Sequence, residues 1–161
     1  MAVKERGEDQ GHSNHLNQMT DIMNFTPIGV LHSPFSKIEN MPIQPLNGEN
    51  IKGYVEIFPE YTVGLQDLDG FSHITLIYYF HKISDVRLMV KPFMDNEFHG
   101  VFATRSPARP NKIGISTVRL LGIENNTLQI ENVDFLNGTP LLDIKPFYPA
   151  FDNRIAERVG W

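Results

Sequence analysis

The sequence contains no cysteine, which removes disulfide scaffolds, thiolate-bound zinc and cysteine nucleophiles together. A chain without disulfides suits a reducing compartment, and a cytoplasmic location is expected. No apolar run approaches the roughly 20 residues that a bilayer span requires. The best, Ile74 to Phe80, is far shorter, so no membrane role is expected. Residues 1–24 lack the apolar segment of a secretory signal and are expected to form a mobile polar tail. Familiar catalytic fingerprints are missing too. There is no G-x-G-x-x-G between strand and helix, no G-x-x-x-x-G-K phosphate cradle and no G-x-S-x-G elbow. The six histidines, His12, His15, His32, His73, His81 and His99, make no pair at metal-ligand spacing, and no metal is expected.

What remains is an ordinary globular composition. The 161 residues, 41% hydrophobic and 20% charged, suffice for one domain with a real core and hardly for two. The formal net charge is -5, which argues against indiscriminate binding to polyanions. Within this acidic chain, however, Phe98 to Ile123 holds no acidic residue, and Arg105, Arg109, Lys112 and Arg119 form a local positive field. The most unusual stretch is HGVFATRSPARPN, His99 to Asn111. Arg109-Pro110-Asn111 sets a bidentate donor, a fixed φ and a carboxamide side by side, which suits holding a carboxylate, a phosphate or a base edge. A rigid solvated turn is the other reading of the same residues.

From Phe25 onward, short β-type runs alternate with Pro, Gly and Asn punctuation. Strands are predicted over Thr26–His32, Gly53–Phe58, Ile74–Phe80, Arg87–Val90, Gly100–Thr104, Ile113–Ile123, Thr127–Phe135 and Leu141–Lys145. Asn125-Asn126 is expected to turn a hairpin at positive φ. Helix is expected only as a turn or two over Tyr61–Leu68 and a frayed segment over Asn153–Val159. Eight short strands with so little helix predict an all-β barrel or sandwich. Two further segments carry polar groups. In Gly64 to Ile74, Asp67 and Asp69 precede a glycine as a capped turn would, without the further oxygens of a calcium loop. In Asn137 to Pro149, Asp143 and Lys145 fall on one face of a strand, either as an exposed ion pair or as a wall of a cleft.

Five blocks in order, IGVLHSPF, Gln44-Pro45, GLQDLDGFSHI, HGVFATRSPARPN with IGIS, and NGTPLLDIKPF, strongly resemble the TsaA-like family. Its best understood members are S-adenosylmethionine-dependent tRNA methyltransferases that act on N6-threonylcarbamoyladenosine at position 37 of threonine tRNA. The resemblance covers Thr26 to about Asp152, so a barrel domain is expected over residues 25–152 with a C-terminal extension at 153–161. It implies a single-domain, non-Rossmann β-barrel with short helical turns that binds S-adenosylmethionine, generally as a homodimer with the site near the subunit interface. By motif, the cofactor site would draw on Gln44, Pro45, Leu46, His81, Lys82, Arg105, Ile115, Glu131, Asn132, Val133 and Asp134. Asn137 replaces the aspartate usual in the family's Asp-Gly-Thr-Pro, and Lys112 stands where a proline or arginine is common. The first change removes a carboxylate near the site while leaving the turn geometry available.

On this resemblance Arg105 would meet the cofactor carboxylate, with Asp134 helping to hold the cofactor. Arg109 and Asn111 would meet the anticodon loop of tRNA, Lys145 the threonyl carboxylate, and Tyr148 or Phe147 would stack on a base. No residue is assigned to accept the N6 proton. Two other readings stay open: the same cofactor with a different nucleoside or small-molecule acceptor, and a barrel that binds RNA or a nucleotide without turnover.

Overall fold

Strict in-out alternation builds the sheet. In the strand Ile113–Glu124, Gly114, Ser116, Val118 and Leu120 point inward and the residues between them outward. Across from it, His73–Tyr79 sends Ile74, Leu76 and Tyr78 inward. These belong to a computed structural model that describes residues 23–40, 50–93 and 95–161. The strands are β1 (Gly29–His32), β2 (Lys52–Ile57), β3 (His73–Tyr79), β4 (Met89–Val90), β5 (His99–Gly100), β6 (Ile113–Glu124), β7 (Thr127–Glu131) and β8 (Thr139–Pro146), and one helical turn, α1, spans Pro149–Asp152.

Six strands close into a barrel in the order β1-β2-β7-β6-β3-β8, every pairing antiparallel, while β4 and β5 form a separate two-stranded ribbon. The interior is filled by Leu31, Val55, Leu76, Val118, Leu128, Ile130 and Leu141, all fully buried. Closure removes sheet edges, and so small a barrel is packed solid with side chains. Gly29 lets β1 and β2 approach, since a Cβ there would lie 2.2 Å from the Glu56 carbonyl oxygen. The strand pattern leaves barrel and sandwich open; the observed fold is the all-β barrel that the family resemblance implies.

The differences from the predicted elements have local causes. The run Gly100–Thr104 is a 3-10 turn over Val101–Ala103, because Thr104 donates both its N–H and its hydroxyl to the Val101 carbonyl, at 3.1 and 2.9 Å. β7 stops at Glu131 rather than at Phe135, since Asn132 sits at φ 69°. Its side-chain oxygen accepts the Asn50 N–H at 3.0 Å, so the polar groups of the reversal are satisfied. Apolar alternation nevertheless continues, because Val133 and Phe135 still enter the core. The helical turn predicted at Tyr61–Leu68 is a 3-10 segment over Pro59–Leu65, started by a proline. Asn153–Val159 is not helical; the helical turn precedes it, with the Asp152 carboxylate accepting the Tyr148 N–H at 2.6 Å. Asn125 takes the positive φ expected of the β6–β7 hairpin, at 54°. Among the described residues no helix is long and apolar enough to cross a membrane.

Candidate functional site

One end of β3 opens into a pocket. The strand leaves the barrel at Tyr79 and continues through Phe80, His81 and Lys82, while Gly114 of β6 lies opposite Tyr78. A Cβ on Gly114 would fall 2.3 Å from the Tyr78 ring and 2.8 Å from Phe80. The glycine therefore makes room for two edge-to-face rings, their centroids 5.5 Å apart. Around them is a small, mainly apolar pocket of about 80 Å³, walled also by His81, Lys82, Phe135 and Thr139.

A polar chain runs beneath this wall. The Ser116 hydroxyl donates to Asp134 at 2.5 Å and lies 2.9 Å from the Tyr78 hydroxyl. A serine has one hydroxyl hydrogen. With that hydrogen on the carboxylate, Tyr78 must donate to Ser116, giving the order Tyr78, Ser116, Asp134. Burial and the nearby Asp134 charge raise the Tyr78 pKa to about 12, so the phenol stays protonated. Burial also raises the Asp134 pKa, opposed by the Ser116 hydrogen bond, a backbone hydrogen bond and the Arg105 charge. Arg105, exposed on the basic loop, thus acts on both Tyr78 and Asp134. Burial lowers the His81 pKa, with Lys82 adding to the effect, so the imidazole is neutral near pH 7.

Of the residues singled out from sequence, His81 and Lys82 line the pocket, and Arg105 and Asp134 meet through their charges beside it. Val133 is buried in the core, and Asn132 serves the backbone reversal. Glu131 lies 3.6 Å from Arg119 on the barrel wall. Ile115 alternates with Ser116 and faces outward, 53% exposed. Arg109 donates to the carbonyls of Thr104 and Ser106 at 2.9 and 3.2 Å, stapling its own loop, and Asn111 stands exposed beyond it. Lys145 pairs with Asp143 at 3.0 Å, and Tyr148 follows β8. Both lie toward the end of β8 opposite Thr139, six residues or roughly 20 Å of strand from the pocket. Gln44, Pro45 and Leu46 lie outside the described residues. Among the described residues no cluster of histidine and carboxylate groups suits a metal ion.

Tyr78, Ser116, Phe80 and Phe135 were not singled out from sequence, because each sits in a run that also reads as core strand. The one available signal was chemical: a tyrosine on the inward face of an apolar strand needs a polar partner.

A closed antiparallel barrel with a pocket at a strand end defines a β-barrel class distinct from the Rossmann nucleotide folds. Within it, residues 30–153 match the tRNA-methyltransferase O N-terminal domain, and the chain belongs to that family. A probable S-adenosyl-L-methionine-binding protein of Pyrococcus abyssi is 55% identical over 137 residues, 85% of this chain and 74% of that protein. A human tRNA (adenine(37)-N6)-methyltransferase is 34% identical over 79% of this chain, which covers 30% of the human protein. A crystal structure of TrmO superposes with a TM-score of 0.72 at 38% identity, over 84% of this chain. Another, of TrmO from Pseudomonas aeruginosa, gives 0.70 at 36% identity, again over 84% of this chain. The chain spans 62% and 59% of those two solved chains.

Proposed function

We propose that this chain is an S-adenosylmethionine-dependent tRNA methyltransferase acting on adenine N6, with N6-threonylcarbamoyladenosine at position 37 of threonine tRNA as its acceptor. The observation that carries the reading is the convergence of Tyr78, His81, Lys82, Asp134 and Arg105 at one end of the barrel in a chain of this family. The residues fit the cofactor. The pocket wall is mainly apolar with a few polar side chains, His81, Lys82 and Thr139, as small-molecule sites are. The faces of Tyr78 and Phe80 suit a sulfonium centre, and a nearby carboxylate complements its charge.

When bound, S-adenosylmethionine supplies an electrophilic methyl group. Arg105 and Lys82 offer cations to a carboxylate at the pocket mouth, and Asp134 offers an anion fixed by Ser116. The apolar wall excludes water from the line of attack. Orienting the acceptor nitrogen toward that methyl group is the main catalytic task, and these residues would serve it. Arg109 keeps the basic loop in shape while Asn111 reaches the anticodon loop. Lys145 and Tyr148, at the far end of β8, would meet RNA bound across the barrel. The exposed outward side chains Tyr79, Ile113 and Ile115 support a homodimer through the β3–β6 face. A soluble tRNA substrate agrees with a cytoplasmic site of action.

The test is transfer of labelled methyl from S-adenosylmethionine to tRNA carrying or lacking the threonylcarbamoyl group. Label on the carrying tRNA alone is expected. Label on neither overturns the enzymatic reading, and equal label on both overturns the acceptor assignment. Arg105→Ala is expected to weaken cofactor binding about tenfold or more, as loss of a charged hydrogen bond does.

A further inference from the structure

The β4–β5 ribbon stands apart from the barrel, and its two faces differ. Met89 pairs with Gly100 and Val90 with His99. On one face Val90 is buried and the His99 ring stacks on Trp161 at 3.7 Å. The Trp161 indole N–H also donates to the Ala103 carbonyl at 3.2 Å, so that face is covered by the chain's own last residue. On the other side Met89 faces a groove together with Arg87, Lys91 and Phe98. Gly100 opposite Met89 adds no side chain there. Met89 and Phe98 are 56% and 66% exposed, and Arg87 is equally open.

These side chains border an open groove of about 390 Å³ between the ribbon and the basic loop, reaching Ser106 and Ala108 on one side and Lys82 on the other. Three contacts fix its walls. Arg87 N–H donates to the Ala108 carbonyl at 2.9 Å, Lys112 Nζ donates to the Ser84 carbonyl at 3.0 Å, and Val101 N–H donates to the Leu88 carbonyl at 2.9 Å. Lys82 and Ile83 line both this groove and the candidate cofactor pocket, so the two are neighbours separated by that segment. Among the described lining residues the acidic one is Asp85, held by Arg87 at 2.8 Å. Lys82 and Lys91 make no ion pair among the described residues.

We infer that this face is a docking platform for the single-stranded RNA that flanks the target base, with Lys91, Arg87 and Lys82 tracking the phosphates and Phe98 and Met89 receiving a neighbouring base. The inference rests on the tRNA reading above and adds to it a surface, distinct from Arg109 and Asn111. An anionic partner fits because Lys82, Arg87 and Lys91 stand around the exposed side chains of Met89 and Phe98. A single strand fits because only unstacked bases offer their faces to an aromatic ring. The shared wall at Lys82 and Ile83 sets the groove beside the pocket, so RNA held in it would bring the target base to the Lys82 side of that pocket.

The probe is an RNA hairpin carrying the anticodon loop, compared with a fully paired duplex of the same composition, each titrated against the intact chain. Phe98→Ala and Lys91→Glu are each expected to weaken hairpin binding about tenfold. Phe98→Tyr should restore it, and affinity for S-adenosylmethionine should match wild type in all three. Unchanged thermal midpoints establish that the variants fold. Hairpin binding equal to wild type in both weakened variants overturns the platform, whether or not the wild type transfers methyl. Weakened hairpin binding by the variants, in a protein that transfers no methyl, supports the platform while overturning the enzymatic reading. If the variants instead split a dimer in sedimentation with hairpin affinity intact, the face belongs to a second copy and the proposal falls. Equal loss on the duplex also overturns it.

Discussion

Asp134 is the residue at which stability and function pull apart. Burial raises its pKa above the unfolded value, so its ionised form is less favourable in the fold than in the open chain. The sign follows directly. Stability from this group is complete below the unfolded aspartate pKa and falls as pH rises through the folded one, leaving a deficit at neutral pH. Asp134→Asn is therefore expected to raise stability at pH 7 by roughly 1 kcal/mol, with the gain absent at about pH 3, where the carboxyl is protonated in both states. Thermal unfolding at the two pH values measures this. The same change should weaken S-adenosylmethionine about tenfold, because a fixed anion is lost. If Asp134→Asn is no more stable at pH 7, Ser116 and Arg105 more than offset the burial.

At the scale of elements, β6 shows what a sequence can disclose and what it hides. Its alternation through Leu120 was readable residue by residue, as were the inward runs of β3 and the turn at Asn125. A barrel rather than a sandwich was not readable from period alone, because closure depends on β1 pairing with both β2 and β8. The separation of β4 and β5 from the barrel was equally hidden, since a two-residue strand carries no period. The family resemblance assigns His81, Lys82, Arg105 and Asp134 to one site, yet the chain from Tyr78 through Ser116 to Asp134 depends on side chains that face each other only after folding. Gly114 belongs to the same class. In sequence it is one glycine in IGIS, whereas in the barrel it is the space into which Tyr78 and Phe80 fit. Gly114→Ala is expected to cost ~1–3 kcal/mol as an overpacking change and to displace the pocket wall. Denaturant unfolding should show the loss, and calorimetry should show weaker cofactor binding even where the variant is folded. Full cofactor affinity in that variant would mean that neither ring borders the ligand.

For the molecule as a whole, the proposed function poses the problem of how a chain of net charge -5 would bind a polyanion. Beyond a Debye length of about 8 Å at physiological salt the field of that net charge is largely screened, so attraction must come from cations concentrated over a short range. Between residues 82 and 112 there are six basic residues and three acidic ones, the reverse of the balance elsewhere. Of the six, Arg109 is occupied within its loop and Lys112 with the Ser84 carbonyl, whereas Lys82, Arg87 and Lys91 border the groove. Each phosphate neutralised on a single strand contributes ~0.7 to the dependence of log affinity on log salt, so three contacts predict a slope of about -2. Lys91→Ala should reduce its magnitude by ~0.7, whereas Phe98→Ala should lower affinity and leave the slope where it was, because stacking releases no counterion. Hairpin titrations over a series of potassium chloride concentrations read both quantities. A slope near zero would remove the phosphate contacts from the account. A slope several times steeper would place most of the contacts on cations outside the groove.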